Sequence, residues 1–312
     1  MENLILSLNV VLPLFLMIVL GYVLKMIRVY DEHTISGMNQ LVFKVFLPLL
    51  LFINIYQTDV AGVFNLKLML IAVIGVLGSF LVTWFIIHLI EKDHRKCGVL
   101  IQGIFRSNFV IFGIPVTTSL FGAEATGVAS LLVAVVVPLF NMLSVIILEI
   151  YRGHQTNMKK ILRGIIANPL IIGSLTGLVF LLLGIKIPLV LEKTISDLSK
   201  VTTPLALVIL GASFTFSSVR GQMKGILIGV VGRLVIIPSI CLLVAIMLGV
   251  RGIGLAVLMS LFGSPTAVSS FSMAKQMDGD SQLAGHLVVF GSMFSVITMF
   301  LWIFIFRQLG YM

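Results

Sequence analysis

The sequence predicts an all-α polytopic membrane protein: ten transmembrane helices as a 5+5 inverted repeat, with helices 4 and 9 broken and crossing at the bilayer centre. Three observations lead there. The 312-residue chain is 59% hydrophobic and 11% charged, with a mean hydropathy of +1.17. A soluble domain carries roughly a quarter charged residues, so this chain could not cover its surface with polar side chains. Apolar runs recur along its whole length, each near the ~20 residues that cross a hydrocarbon core. Finally, two helix-breaking stretches, FGIPVTTSLFG at 112–122 and FGSPTAVSSFS at 262–272, lie inside such runs, where water cannot repair the backbone.

Marking the runs in order gives spans at 4–26, 34–55, 66–90, 96–119, 124–151, 163–185, 189–218, 223–249, 252–276 and 282–307. The first has no basic leader and no small-residue cleavage site after it, so it reads as a true span and not a signal peptide. No interval between spans is long enough for a soluble domain. The longest, RGHQTNMKKILRG, sits midway. The expected organisation is a first five-helix repeat at 1–151, a cytoplasmic connecting loop at 152–162 and a second, inverted repeat at 163–312.

Lysine and arginine near span ends stay preferentially cytoplasmic. The intervals after spans 1, 3, 5, 7 and 9 hold twelve: Lys25, Arg28, Lys92, Arg95, Lys96, Arg152, Lys159, Lys160, Arg163, Arg220, Lys224 and Lys275. The opposite side holds five, Lys67, Lys186, Lys193, Arg251 and Arg307. The expectation is a multi-pass protein of the cell membrane with both termini extracellular. This bias accounts for the net charge of +9 without a nucleic-acid partner. Cys97 and Cys241 are too far apart in topology to pair, and no metal-binding or cofactor motif is present.

Sliding the chain along itself exposes the repeat. KVFLPLLLFI (44–53) falls on KVTTPLALVI (200–209), LPL (12–14) on NPL (168–170), and LIAVIGVL (70–77) on LIGVVGRL (227–234). The two FGxP stretches coincide, as do MLSVII (142–147) and MFSVIT (293–298). Five pairs in one order outweigh the chance matches expected among aliphatic segments. An odd number of spans per half makes the second half enter from the opposite face, the inverted architecture of many secondary transporters. Half-helices that start after Pro115 and Pro265 would then aim their N–H groups and positive ends at one point, an anion site. Thr117, Thr118 and Ser119 on one, with Thr266, Ser269 and Ser270 on the other, would add hydroxyls.

SNFVIFGIP (107–115) has the Asn-x4-Gly-Ile-Pro spacing of the auxin efflux carrier family, and PTAVSSFSMAK (265–275) resembles that family's ninth span. NPLIIGSLTGL (168–178), TPLALVILGASF (203–214) and RLVIIP (233–238) are similar to its sixth, seventh and eighth. Bacterial members are described as malate or malonate permeases, within the superfamily of bile acid, arsenite and riboflavin transporters. The resemblance implies a scaffold of spans 1, 2, 6 and 7, a mobile unit of spans 3–5 and 8–10, elevator-type motion and a homodimer. It implies carboxylate contacts from Asn108, Pro115 and Pro265. With the residues flanking the breaks, the expected substrate-binding set is Asn108, Gly113, Pro115, Thr117, Gly263, Ser264, Pro265 and Thr266. The short central loop departs from plant members and argues against auxin itself.

Four cations fall inside the spans: Lys44, Arg106, Lys200 and Arg233. Charge at bilayer depth is costly and marks function by default. Lys44 and Lys200, each four residues before a proline, and Arg233 are candidates for anion attraction or gating. Snorkelling to the headgroups competes for both lysines. Arg106, two residues from Asn108, is expected on a different helix face, paired with a lipid phosphate or another helix. Glu124, Glu149, Asp197, Asp278 and Asp280 lie near span ends, so no buried proton-relay carboxylate is evident. His33, His88, His94, His154 and His286 read as solvated edge or loop residues. The function expected is secondary transport of a small mono- or dicarboxylate. An anion channel or uniporter, or an intramembrane enzyme, are the alternatives. The second would need a clustered catalytic set at depth, and none is seen.

Overall fold

In a computed structural model, which describes residues 2–58, 65–152 and 158–312, the secondary structure is helical throughout, apart from one isolated bridge. The helices are α1 (Glu2–Met26), α2 (Glu32–Tyr56), α3 (Leu66–Ile90), α4 (His94–Phe105), α5 (Phe109–Gly122) and α6 (Glu124–Ile150), then α7 (Met158–Ile166), α8 (Pro169–Leu183) and α9 (Leu189–Ser213). The last four are α10 (Phe216–Met247), α11 (Gly252–Gly263), α12 (Ser269–Gln276) and α13 (Ser281–Gln308). Six of them, α2, α3, α6, α9, α10 and α13, are long and apolar enough to cross a membrane. Shorter apolar helices include Val11–Met26, α5, α8 and α11. Among the described residues this is a multi-pass membrane architecture.

Local chemistry sets the helix ends. Asp31 caps α2 by accepting the Thr34 N–H at 2.7 Å, and the Thr34 hydroxyl and amide hold its carboxyl below the usual carboxylate range. Asn65, Asp93, Asn168 and Asp280 cap α3, α4, α8 and α13 in the same way, each relieving an N–H that the helix leaves orphaned. Gly122, at φ 70°, turns the chain between α5 and α6. The connecting loop is expected at 152–162. The interval 153–157, with His154, lies outside the described residues, and α7 already runs from Met158. The sixth span is divided into α7 and α8 because Asn168–Pro169 ends one helix and starts the next.

Three helices contain a wide, five-residue π turn: Val42–Phe46, Phe109–Gly113 and Gly232–Ile236. Each is followed two residues later by a proline, Pro48, Pro115 or Pro238. Proline cannot bond the carbonyl four residues back, and its ring presses on that carbonyl. The helix widens by one residue instead of breaking. The carbonyl that Pro238 leaves free, that of Leu234, accepts the Trp302 Nε1–H at 3.3 Å.

Packing separates two groups of helices. A Cβ on Gly21 would stand 2.0 Å from the Val208 oxygen, and one on Gly211 1.9 Å from that of Ile18, so α1 and α9 touch backbone to backbone. Gly173 and Gly177 press α8 onto Pro48 and Phe52 of α2 with the same intimacy, at 2.6 and 2.8 Å. Small residues are what allow such approaches between apolar helices. On the other side, Leu287 of α13 fills the space over Gly103 of α4 and Gly229 of α10. A polar bracket closes one end of that second group. Arg152 pairs with Asp278 at 2.9 Å and with Glu149 at 3.1 Å. Arg95 reaches the Asp278 carbonyl, and its own carbonyl accepts the Asp280 N–H.

Candidate functional site

The two interrupted segments meet. Between α4 and α5 the chain runs extended through Arg106 and Ser107 to Asn108, and between α11 and α12 through Ser264, Pro265 and Thr266. Ser107 and Thr266 form an antiparallel bridge. The Asn108 N–H donates to the Pro265 carbonyl at 2.8 Å, and the Thr266 hydroxyl to the Gly103 carbonyl at 2.7 Å. The first interruption therefore lies at Arg106–Asn108 and not at Gly113–Pro115. Gly113 is helical at φ −70°, and Pro115 sits in a helix whose π turn absorbs it.

Four helix ends gather at this crossing. The C-terminal ends of α4 and α11 carry carbonyls without intrahelical partners. Arg233, 1% exposed, takes them up. Its Nε donates to the Ser264 oxygen at 2.7 Å, one terminal nitrogen to those of Ile104 and Phe105, and the other to those of Leu261 and Phe262, at 2.9–3.2 Å. A guanidinium has five N–H donors, and all are spent on main chain. Arg233 thus has nothing left for a solute, and the gating role expected of it gives way to a clamp on two negative helix ends.

Beyond the crossing begin α5 and α12, whose N-terminal ends border a cavity of about 130 Å³. Asn108 and Ser107 line it, each under a tenth exposed, and neither the Asn108 Nδ2 nor the Ser107 hydroxyl has a partner. Arg106 lines it too, with 4% exposure. One of its terminal nitrogens donates to Asn141 Oδ1 at 2.6 Å and Ser269 Oγ at 2.8 Å, and the other touches Met273 Sδ. Asn141 is fixed in turn by its donation to the Val137 carbonyl at 2.8 Å. Among the described residues no carboxylate lies within ion-pair distance of Arg106. A buried cation is expensive unless paired, and here its hydrogen bonds go to neutral groups alone. The rest of the wall comes from α2 and α9, through Leu47, Leu50, Leu51, Asn54 and Thr203, and from α6, through Val137 and Phe140.

The expected residues scatter around this cavity. Asn108 faces it; Pro265 and Thr266 make the bridge; Ser264 serves the Arg233 clamp and donates its hydroxyl to the Ser260 carbonyl. Gly113 lets α5 lie against α11, where a Cβ would meet the Ser260 oxygen at 3.0 Å. Thr117 donates back to the Gly113 carbonyl, Gly263 ends α11, and Pro115 is exposed; none of these four lines the cavity. Lys44 is exposed on α2, and Lys200 is exposed and pairs with Asp197 at 2.8 Å. Neither borders the cavity.

Sequence reasoning counted Arg106 among the cations at depth but did not place it, or Asn141, Asn54 and Thr203, at this cavity. It also misread His286, which is 1% exposed, bonded to Gln222 Oε1 at 2.8 Å and within 3.3 Å of Ser218 Oγ. No cluster of three or more His, Cys, Asp or Glu side chains fit for a metal occurs among the described residues.

A family model described as membrane transport protein matches residues 6–303, nearly the whole chain. The chain belongs to that family. It is the auxin efflux carrier family the motifs resemble. Curated relatives of this membrane transport protein extend end to end. One, from Methanothermobacter thermautotrophicus, is 26% identical over 300 residues, covering 95% of this chain and 97% of its own length. A protein of Methanocaldococcus jannaschii is 22% identical, covering 94% and 97%. YfdV of Escherichia coli K12 is 22% identical over 311 residues, covering 95% and 96%. Each carries the description of an uncharacterized transporter. The family is of transporters and not enzymes.

Proposed function

We propose that this family member is a secondary transporter of a small organic anion, a mono- or dicarboxylate, bound in the cavity at the helix crossing. One observation carries the reading: Arg106 is buried at the cavity wall without a carboxylate partner, beside the unpartnered amide of Asn108 and two helix N-termini. A carboxylate fits a guanidinium fork through charge-assisted bonds, and the positive helix ends favour the same sign. The substrate-binding set in this reading is Arg106, Ser107, Asn108, Asn141 and Ser269, with Pro265 and Thr266 holding the crossing.

Movement follows an elevator scheme in this proposal. The ten spans form two inverted repeats, with 1–151 and 163–312 as the halves. The glycine-packed pairs α1–α9 and α2–α8 supply the fixed scaffold, which pairs two copies of the chain. Spans 3–5 and 8–10 carry the solute past α2 and α9, whose residues complete the cavity wall. The protein lies in the cell membrane with both termini outside. Counterflow in proteoliposomes tests the scheme. Unlabelled carboxylate inside should accelerate entry of labelled carboxylate through a carrier, and Arg106→Gln should abolish it. Entry indifferent to the inside solute would mean a channel.

A further inference from the structure

We infer that the solute carries a single negative charge: a monocarboxylate of about four to six non-hydrogen atoms, set by one cation and a small chamber. This deepens the anion-site reading and rests on it. Among the described residues, Arg106 alone of the cations inside the spans borders the cavity. Arg233 is committed to five main-chain carbonyls, Lys44 and Lys200 face outward, and Lys275 donates to Ser213 at 3.0 Å, away from the cavity.

The free donors suit one carboxylate. A carboxylate offers about four lone-pair sites. Opposite them stand the Asn108 Nδ2, the Ser107 hydroxyl and what Arg106 has left, its Nε–H and one Nη1–H, the other three N–H groups being taken by Asn141, Ser269 and Met273. Asn141 and Ser269 hold one side of the guanidinium, so it presents a fixed edge and not a mobile charge. A second carboxylate would meet Leu47, Leu50, Leu51, Phe109, Val137 and Phe140, with Asn54 and Thr203 as neutral polar neighbours. Those two can receive a hydroxyl or a keto group, but they do not neutralise a charge, and an unpaired buried carboxylate is strongly disfavoured.

Size points the same way. The cavity measures about 130 Å³ and opens on one side; a closed apolar cavity of about 150 Å³ holds benzene, six non-hydrogen atoms, and that sets the scale for what this space takes in whole. Acetate, propionate, lactate, pyruvate and butyrate fall within that limit. Malate exceeds it, and succinate exceeds it while adding a charge. Malonate is close in size, so it separates charge from volume.

The test is thermal stabilisation of the purified full-length chain at pH about 7.5, where short dicarboxylates are doubly ionised, followed by competition for uptake. Acetate, lactate, pyruvate and butyrate should raise the melting midpoint, whereas malonate and succinate should fail at about tenfold higher concentration. Asn54→Lys, which places a second cation on the α2 wall of the cavity, should swing the preference toward malonate by about tenfold or more. Equal or stronger stabilisation by malonate in the unaltered protein would overturn the single-charge inference and leave an anion carrier standing. Silence toward every carboxylate of either charge would remove both readings.

Discussion

Arg106 and Arg233 stand at one crossing, and both are buried, yet their surroundings differ in kind. Arg233 meets five carbonyls at the negative ends of α4 and α11. Arg106 meets two neutral side-chain oxygens, a thioether and open space at the positive end of α5. The first is a saturated donor set whose charge is spent on the fold. The second has only neutral partners among the described residues, and its charge stays uncompensated there. Depth alone does not say which role a buried cation plays, but the count of its partners does.

The largest expected effect breaks the clamp. Arg233→Met should orphan five buried carbonyls and cost about 3–5 kcal/mol, the range for removing one side of a buried charge network, seen as aggregation on size exclusion or a collapsed melting midpoint. Arg106→Gln should leave a folded protein yet weaken carboxylate binding by about 2–4 kcal/mol, measured as lost ligand-induced stabilisation. If the Arg106 variant instead unfolds as readily as the Arg233 variant, the contrast between them fails. Asn108→Ala sharpens it further. Its Nδ2 has no partner in the protein, so stability should hold while binding drops by about 1–2 kcal/mol. Lys44→Gln and Lys200→Ala sit at the small end, within about 0.5 kcal/mol for stability and uptake alike, as exposed surface charges do.

The hydropathic runs foretold where most helices lie, because length and apolarity are local properties. The crossing was legible only in outline. Pro115 looked like the breaker, but a helix tolerates proline when it can widen by a residue, and the true interruption fell earlier, at Arg106–Asn108. Pro265 does lie in its interruption, so the two FGxP stretches match in letters and differ in place. That displacement hid Arg106. In a helix, residues two apart face different ways, which set Arg106 apart from Asn108. Where the chain leaves the helix that spacing no longer applies, and Arg106, Ser107 and Asn108 all line the cavity. His286 was misjudged for another reason: near a helix start it reads as wet, but Phe214 packs edge-on at 5.1 Å and Ser218 and Gln222 cover its nitrogens. Only the turn from α9 to α10 brings those groups there.

The clamp has a corollary for how a solute could enter or leave. Because one guanidinium fastens both severed helices, neither crossing strand can swing aside alone like a door on its own hinge. In the elevator scheme proposed above, what opens and shuts is then the joint with α2 and α9, and the cradle travels whole.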